Sequence, residues 1–450
     1  TSSSLQDRFY VNDGKGHFSL EASALPTFLK SGSCVKASDY DHDGDLDLFI
    51  GGRVEPGAYP KPVSSYILRN DSSGGVVRFT DVTSEVAGIL KNIGLVCDGV
   101  WSDYDNDGWD DLIIVGEWMP ITVLHNNSGK LEPLSQNGGL SGKVGWWTSI
   151  SSGDFDNDGD MDYIVGNQGL NTLMRASEQE PVSIYSKDFN NDGFYDAIPT
   201  VYFPDASGKR QEYPYNTRDD LAKQFIQTRQ RFQNYAKFSE ASIKEILKPE
   251  EMKDALVLRS SWMQSSYVEN KGGGIFEVRV LPIEAQFAPV YGLLIDDYDG
   301  DGYLDVLVNG NDYGTEVSVG RHDGLNGLLL RGNGKGGFVS VLPEWSGYCV
   351  RGDGKALVRL SGSRGDELIL ASQNRGDLRF FRYNGGSSSL VLGSGDRVGL
   401  LHLSGGRVRR VEVGYVSSFL SSSSRRLYIP KGVEQVEIID NKGNKRQIKR

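Results

Sequence analysis

A nine-residue acidic pattern, repeated five times, constrains the fold of this chain more than any other feature. The first copy, Asp39–Asp47, has carboxylates at positions 1, 3, 5 and 9 and a glycine at position 6. Odd spacing turns alternate side chains inward, and the glycine permits the sharp turn that points the position-7 carbonyl at the same centre. The apolar run Leu48-Phe49-Ile50 follows and predicts a buried strand. The pattern therefore predicts a calcium loop that leads into a strand.

The other four copies begin at Asp103, Asp154, Asp188 and Asp297. In the fourth copy Asn190 replaces the aspartate of position 3, which predicts weaker binding. Together the copies predict about five Ca²⁺ sites, each with ligands at positions 1, 3, 5, 7 and 9. The predicted ligands are Asp39, Asp41, Asp43, Asp45 and Asp47; Asp103, Asp105, Asp107, Trp109 and Asp111; Asp154, Asp156, Asp158, Asp160 and Asp162; Asp188, Asn190, Asp192, Phe194 and Asp196; and Asp297, Asp299, Asp301, Tyr303 and Asp305.

The spacing of the loops predicts a β-propeller of six or seven blades. Successive loops start 64, 51, 34 and 109 residues apart, whereas a four-stranded blade repeats about every 40–50 residues. The short interval predicts a trimmed blade and the long one an insertion. Turns rich in Asn and Gly alternate with the loops and predict an outer hairpin in each repeat. These turns lie at 12–14, 70–74, 126–129, 270–272, 333–336 and 384–386.

Three segments break the repeat. Around 205–262 the apolar residues take helical spacing, for example Leu221 and Phe225, and Ser239 and Pro249 resemble a helix start and stop, so we expect a helical insertion. Residues 352–356 keep the position of a repeat but lack the ligands, which predicts no metal there. Beyond a Ser- and Gly-rich stretch, residues 387–450 alternate as strands and end in a basic tail. The expected domains are therefore a propeller over 1–386 and a small C-terminal β segment over 387–450.

The loops with their flanking strands resemble the FG-GAP/VCBS repeat family, in which each repeat is a propeller blade with a calcium loop. Residues Tyr415–Leu427, which include Ser421-Ser422-Ser423-Ser424, resemble the ASPIC/UnbV segment that follows such propellers in Bacteroidetes cell-surface proteins and in the cartilage acidic protein group. The resemblance implies a calcium-stabilised binding or adhesion surface and no general set of catalytic residues.

Composition limits the partners and the compartment. The formal net charge of −12 argues against nucleic acid, whose binders need a basic face. No apolar run is long enough to span a membrane, which takes about 18 residues or more. The three cysteines, Cys34, Cys97 and Cys349, are too far apart for a zinc signature and are expected to be free thiols. Weak calcium loops fill best where calcium is millimolar, so an extracytoplasmic location is expected. The chain opens at Thr1, which suggests a mature or trimmed fragment.

Two functions remain open from the sequence. The first is a non-enzymatic module of a bacterial surface or periplasm that binds a glycan or a protein, as part of a larger surface protein or complex. The second is a carbohydrate-active lyase or hydrolase on a propeller scaffold, although the five histidines are scattered and no nucleophile or phosphate motif is present. The tripeptide Arg351-Gly352-Asp353 matches an integrin motif but arises easily by chance. Candidate ligand-binding residues are Trp109, Trp118, Trp146, Trp147, Tyr213, Tyr215 and Arg218.

Overall fold

The computed structural model describes residues 2–362, 366–383, 385 and 388–448. The expected boundary at Gly386 and Ser387 lies outside these residues, as do Asn384 of the last predicted turn and the final residue of the basic tail, Arg450. The chain is all-β with short helices, as the sequence predicts.

The first half of the chain begins with a hairpin and continues as two four-stranded antiparallel sheets. Its elements are β1 (Tyr10–Asn12), β2 (Phe18–Leu20), β3 (Ser31–Ser38), β4 (Asp47–Val54), β5 (Tyr66–Asn70), β6 (Phe79–Asp81), α1 (Thr83–Val86), β7 (Leu95–Ser102), β8 (Asp111–Pro120), β9 (Thr122–Asn126) and β10 (Leu131–Pro133). Each sheet is a meander in which an acidic loop joins the first strand to the second. A turn rich in Asn and Gly joins the third strand to the fourth.

The third sheet is interrupted by the insertion. It consists of the first two and the last two of the following elements: β11 (Val144–Gly153), β12 (Asp162–Asn167), β13 (Val182–Lys187), β14 (Asp196–Pro204), β15 (Arg210–Pro214), α2 (Arg218–Gln224), α3 (Gln227–Arg231), α4 (Tyr235–Ser239), α5 (Ile243–Ile246), α6 (Pro249–Met252), β16 (Leu256–Ser260), β17 (Ser266–Asn270) and β18 (Phe276–Val280). The insertion forms its own sheet in the order β15-β14-β13-β16, and this sheet carries the fourth acidic loop.

The remaining elements form two more sheets of the series and the C-terminal segment. They are β19 (Val290–Asp296), β20 (Asp305–Gly310), β21 (Leu328–Gly332), β22 (Phe338–Val341), α7 (Pro343–Ser346), β23 (Gly354–Ser361), β24 (Glu367–Gln373), β25 (Arg379–Tyr383), β26 (Ser388–Val391), β27 (Asp396–Leu403), β28 (Val408–Glu412), β29 (Arg426–Ile429), β30 (Val433–Asp440) and β31 (Lys445–Ile448). The fourth sheet, β19–β22, has four strands, and the fifth, β23–β25, has three among the described residues.

The five sheets of the series pack side by side through their first strands, and hydrogen bonds between β8 and β11 also join the second and third into one eight-stranded sheet. β3 contacts β7, β7 contacts β11, β11 contacts β19, and β19 contacts β23. Separate apolar clusters lie between consecutive sheets, and the aromatic residue at loop position 2, such as Tyr40 or Tyr104, belongs to one of them. These apolar clusters therefore hold consecutive sheets side by side, in the order in which the repeats follow one another in the chain.

The insertion differs from its prediction in two ways. The predicted helical segment 205–262 contains five short helices but also strands β15 and β16, because the helices cover one face of the inserted sheet. The other face packs on the first two sheets through Val63, Leu95 and Trp118, and on the third through Trp146 of β11. The 34-residue interval between the third and fourth loops is therefore the step into this insertion and not a trimmed blade.

The C-terminal segment forms two small sheets, β26-β29 and β28-β27-β30-β31, with an apolar cluster of their own. Its stretch Ser417–Ser424 runs among the first strands of the series. Ser418 accepts a 2.9 Å hydrogen bond from Lys36 Nζ on β3, and Ser421 Oγ accepts one of 3.1 Å from Leu357 N on β23. Phe419 packs on Tyr291 of β19 with ring centroids 5.1 Å apart. The segment is thus part of the same packed body.

The Arg-Gly-Asp tripeptide has a definite place in this fold. Its Asp353 is buried and lies 2.8 Å from Lys355 Nζ, so the carboxylate is not exposed to a receptor.

Among the described residues, no helix is both long and apolar enough to cross a membrane.

Candidate metal centres

The five acidic loops share one backbone conformation. In each loop the residues at positions 4 and 6 have positive φ, between 59° and 104°. Position 6 is glycine throughout, and position 4 is His42, Asn106, Asn157, Asn191 or Gly300. Glycine and asparagine tolerate this left-handed region better than most residues. The same uncommon conformation in five places identifies one repeated unit.

Hydrogen bonds inside each loop hold the odd-numbered side chains inward. The N–H of position 6 donates to the carboxylate of position 1 in all five loops, at 2.9–3.3 Å. The N–H of position 7 donates to the carboxylate of position 5, at 2.8–3.1 Å. These bonds fix the carboxylates around the centre of the turn.

In four loops three carboxylates converge, so that one oxygen of each lies within 4.8 Å of the others. The converging sets are Asp39, Asp41 and Asp43; Asp103, Asp105 and Asp107; Asp154, Asp156 and Asp158; and Asp297, Asp299 and Asp305. In the fourth loop Asn190 donates a 2.9 Å hydrogen bond to Asp192. Two predicted ligand side chains of this loop are therefore hydrogen-bonded to each other. The departure of this loop from the pattern is thus also a departure in geometry.

The aspartate at position 9 fastens each loop to its sheet. It is at most 6 % exposed in every loop. It accepts the N–H of position 2 in four loops, at 2.9–3.2 Å. In four loops it also accepts an N–H at the end of the third strand, from Asn70, Asn126, Asn270 or Gly332, at 2.7–3.0 Å. Position 9 therefore ties the loop to the hairpin side of its sheet.

Burial raises the pKa of these position-9 carboxyls. The pKa rises to about 8 for Asp47, about 9 for Asp111, about 8 for Asp162, about 6 for Asp196 and about 7 for Asp305. In each case the loss of water around the charged form is the largest cause. A bound cation would offset that cost and keep the carboxylates ionised.

Buried carboxylate oxygens without hydrogen-bond partners indicate which ion the loops fit. Four buried carboxylate oxygens in the first three loops have no hydrogen-bond partner among the described residues: Asp45 Oδ1, Asp47 Oδ2, Asp103 Oδ1 and Asp156 Oδ1. A buried acceptor left unpaired costs about 1–3 kcal/mol, and more if it is charged. Ca²⁺ takes six to eight oxygen ligands in flexible geometry. The donor set thus fits this ion, which the carboxylates of positions 1, 3, 5 and 9 would hold.

The side chains at position 7 point to different surroundings. Asp160 accepts a 2.6 Å hydrogen bond from Asn106 in the second loop, and Trp109 stacks on His42 of the first loop with ring centroids 3.9 Å apart. Tyr303 lies under Arg407 of the C-terminal segment, and Phe194 is 63 % exposed. The position-7 side chains Trp109 and Asp160 therefore link neighbouring loops, while the predicted ligand at this position is the backbone carbonyl.

His125 is a candidate ligand that the sequence analysis did not predict. Its Nδ1 lies 3.4 Å from Asp105 Oδ2 and 3.1 Å from Asp111 Oδ1 in the second loop. It immediately precedes the asparagine that ends the third strand, and the corresponding residues elsewhere are Arg69, Glu269 and Arg331. A comparison of the hairpins in register would have revealed this variable position beside the loop.

The C-terminal segment also reaches the loops, which the sequence did not indicate. Arg397 and Arg410 both donate to Asp103 Oδ2, at 2.9 and 2.8 Å. Arg409 is buried and donates to Asn157 Oδ1 of the third loop and to the carbonyl of Gly302 in the fifth, at 2.9 and 2.7 Å. Three consecutive sheets are thereby joined on their loop side.

The candidate ligand-binding residues do not form one exposed site. Trp147 is fully buried and Trp118 is 6 % exposed, so neither offers a ring face to a ligand. Trp146 packs against Trp118, and Tyr215 packs in the same cluster. Arg218 donates a 2.7 Å hydrogen bond to the carbonyl of Phe232 and supports the helices. Tyr213 lines a cleft of the insertion.

Comparison with known proteins gives one family match and one structural match. The family model described as FG-GAP-like repeat matches residues 103–165, which hold the second and third loops. No curated protein matches the chain. Among solved structures, the chain aligns with the crystal structure of the V. cholerae biofilm matrix protein Bap1 at 12 % identity and a TM-score of 0.26. That alignment covers 94 % of this chain and 59 % of the other, so this chain spans less than two thirds of its length.

Proposed function

We propose that this chain is a calcium-stabilised β-propeller that serves as a non-enzymatic binding or adhesion module outside the cytoplasm. Six or seven blades would arise from the five-sheet series together with the hairpin and C-terminal elements. The ligand would be a glycan or a protein, and the chain would act within a larger surface protein or complex.

The repeated loop geometry carries this proposal. Five loops with one conformation, four of them with converging carboxylates, suit a structural role better than a catalytic one, because a reaction needs one distinctive site. The match of residues 103–165 to an FG-GAP-like repeat supports the assignment of the loops to that kind of unit. Ion binding would add folding free energy, since the unfolded chain lacks the converged carboxylates.

Chelation tests the calcium part of the proposal. The purified chain is dialysed against EGTA, its residual metal is measured by mass spectrometry, and its melting temperature is recorded with and without added Ca²⁺. We expect calcium to raise the melting temperature by 10 °C or more, and Mg²⁺ to raise it less, because Mg²⁺ demands a near-octahedral site. An unchanged melting curve after verified metal loss would refute calcium stabilisation.

A paired assay tests the binding part. The calcium-loaded chain is screened on a glycan array and against extracellular proteins, and the same polysaccharides are then incubated with it and analysed for released products. We expect retention without turnover. Release of products in proportion to protein concentration would instead establish the carbohydrate-active enzyme.

A further inference from the structure

A histidine side chain lies beside the acidic loop of the second sheet. His125, on β9, places its Nδ1 3.4 Å from Asp105 Oδ2 and 3.1 Å from Asp111 Oδ1. Among the described residues, one group of three or more converging Asp, Glu, Cys or His side chains contains a histidine, and these three residues form it. The second loop therefore offers a nitrogen donor as well as its carboxylates.

The two separations match those between neighbouring ligand atoms of one small ion. Zinc binds imidazole nitrogen at about 2.0–2.1 Å and carboxylate oxygen at about 2.0–2.2 Å, so adjacent ligand atoms around it lie about 3.0–3.5 Å apart. The separations of 3.1 and 3.4 Å fall in that range. A hydrogen bond from His125 to Asp111 accounts for the shorter separation alone, whereas one bound ion accounts for both.

The imidazole is held in place and is still accessible to solvent. Its ring meets the ring of Tyr104 edge-on, with centroids 6.1 Å apart and an angle of 72° between the planes. The side chains of His125 and Asp105 are 31 % and 26 % exposed, while that of Asp111 is fully buried. An ion can therefore enter from the solvent side and reach the buried carboxylate.

The corresponding position of the other sheets holds a charged side chain. It is Arg69 in the first sheet, Glu269 in the third and Arg331 in the fourth. Arg69 pairs with Asp71 at 2.9 Å, and Arg331 lies 3.8 Å from Asp299 of the fifth loop. Neither arginine can donate a lone pair to a metal ion. The second loop thus differs from its relatives in the chemistry of its donors.

Two arginines reduce the negative charge that the second loop offers to calcium. Arg397 and Arg410 both donate to Asp103 Oδ2, at 2.9 and 2.8 Å. In the first loop the C-terminal segment supplies a neutral donor instead, since Asn441 Nδ2 donates to Asp39 Oδ2 at 3.2 Å. The other oxygen, Asp103 Oδ1, is buried and has no hydrogen-bond partner among the described residues. Calcium affinity depends on the number of ligand charges, whereas imidazole favours transition metals.

We propose that the second loop binds a transition-metal dication such as Zn²⁺ in preference to Ca²⁺, with His125 Nδ1, Asp105 and Asp111 among its ligands. Carboxylate oxygens of Asp103 and Asp107 converge with that of Asp105 and complete the donor set. The assignment rests on the metal-binding role proposed for the loops and changes the ion at one of them. In the alternative, His125 only hydrogen-bonds to Asp111, and calcium is the ion there as well.

Titration of the calcium-loaded chain with Zn²⁺ tests the proposal. Displaced calcium is measured by mass spectrometry, and the five histidines are followed in long-range ¹H–¹⁵N NMR spectra of the labelled chain. We expect the first equivalent of Zn²⁺ to displace one Ca²⁺ and to shift the Nδ1 resonance of His125, because that nitrogen becomes a ligand. Zinc that displaces no calcium, or that leaves this resonance unmoved, would overturn the proposal.

Substitutions at residue 125 distinguish a ligand from a hydrogen-bond donor. His125→Gln should weaken Zn²⁺ binding by about tenfold or more, since even the loss of an outer partner of a metal ligand costs that much. His125→Glu, which introduces the residue that the third sheet has at this position, should make the second loop prefer Ca²⁺. Melting curves in EGTA establish that each variant is folded. Zinc affinity that survives His125→Gln would show that the nitrogen is not a ligand.

The matched control is His17→Gln. His17 Nδ1 also lies close to a carboxylate, 2.9 Å from Asp13 Oδ2, but in the exposed β1–β2 hairpin. Its replacement should leave the displacement of calcium by zinc unchanged, and an equal effect of both substitutions would count against the site. A chain that binds no calcium at all would contradict the function proposed above. The His125 resonance of the metal-free chain, titrated with Zn²⁺, would then still decide the zinc site.

Discussion

At position 9 of the third loop, one carboxylate accepts three hydrogen bonds. Asp162 Oδ1 accepts from Asn270 N at 2.8 Å, and Oδ2 accepts from Phe155 N at 3.2 Å and from the Tyr267 hydroxyl at 2.8 Å. An amide at this place would have one acceptor oxygen and would turn its NH₂ toward buried donors. The residue is therefore needed by the fold as well as by the predicted ion.

We expect Asp162→Asn to lower the free energy of unfolding by about 1–3 kcal/mol even in EGTA, because at least one buried donor loses its acceptor. The loss should be larger in calcium, since a ligand is removed too. Urea titration in both buffers measures the two values. Asp160→Asn, at position 7 of the same loop, is the control and should change neither value by more than about 0.5 kcal/mol. Equal stability of the two variants in EGTA would contradict the structural role of position 9.

The raised pKa values of the position-9 carboxyls predict how calcium stabilisation depends on pH. Because burial raises the pKa of Asp47 and Asp162 to about 8, and of Asp111 to about 9, the metal-free folded state holds protons that the unfolded state has released. Stability of the metal-free chain is therefore present at low pH and is lost as pH rises through these values. With calcium bound the carboxylates are already ionised, so this loss is smaller.

We accordingly expect the difference in melting temperature between calcium-loaded and EGTA-treated chain to grow steadily from pH 6 to pH 9. Differential scanning fluorimetry over that range, at constant free calcium, measures it. A calcium effect that is independent of pH would show that the carboxyls are ionised without the ion.

At this scale the sequence predicted the carboxylates but not their neighbours. Alternating aspartates and a fixed glycine are a local pattern, so converging residues such as Asp154 and Asp156 could be read directly. His125 and Arg410 reach the loops from other strands, and their proximity depends on tertiary packing that no local pattern encodes. Trp118 and Trp147 were candidates by composition alone, which does not distinguish a core ring from an exposed one.

Among the elements, the hairpins after the second and third acidic loops also join neighbouring sheets. Asn126 ends the third strand of the second sheet, and its Nδ2 donates to the carbonyls of Tyr40 and Asp110 at 2.8 and 2.9 Å. Asn270 of the third sheet likewise donates to the carbonyl of Tyr104, at 2.7 Å. An asparagine in the hairpins of the second and third sheets thus holds the loop of the preceding sheet.

Replacing Asn126 with Ala should lower the free energy of unfolding by about 2–3 kcal/mol, because two buried carbonyls lose their donor. The matched control is Asn70→Ala, at the same position of the first sheet, where the side chain accepts a 3.1 Å bond from Ser72 N at the surface. We expect a loss of less than about 1 kcal/mol there. Urea unfolding of both variants measures the difference, and equal losses would show that the contact between sheets contributes little.

The elements that sequence predicted well are those with local signals. Turns rich in Asn and Gly and the apolar runs after the loops correspond to strands and hairpins of the structure. The insertion was harder, since α5 begins after Ser242, which forms a capping box with Glu245, rather than at Ser239. Pro249 is the first residue of α6 and not the end of a helix. The two strands that flank the helices of the insertion, β15 and β16, have mixed exposure. The helical spacing of nearby apolar residues therefore concealed them in the sequence.

For the whole molecule, the C-terminal segment is joined to the sheet series at two places. Ser417–Ser424 lies among the first strands, where Arg359 N donates to Ser423 Oγ at 3.0 Å and Ser424 N donates to the carbonyl of Arg359 at 2.9 Å. On the loop side, Arg409 joins the third and fifth loops. Sequence placed a domain boundary before this segment because its composition changes there, and composition does not reveal that a later stretch returns to the centre of the fold.

Two attachments of this kind predict that the chain unfolds as one cooperative unit, despite its two predicted domains. Arg409→Met should lower the free energy of unfolding by about 2–4 kcal/mol, because Asn157 Oδ1 and the Gly302 carbonyl lose buried donors at a place where three elements meet. Scanning calorimetry in calcium should show a single transition for both proteins, shifted to lower temperature in the variant. Arg426→Met, which removes only a 3.0 Å bond to Ser389 within the segment, is the control and should shift it less. A separate early transition for the C-terminal sheets, with the remaining transition unmoved, would instead show that the segment is an appended domain and that the five-sheet series holds together without it.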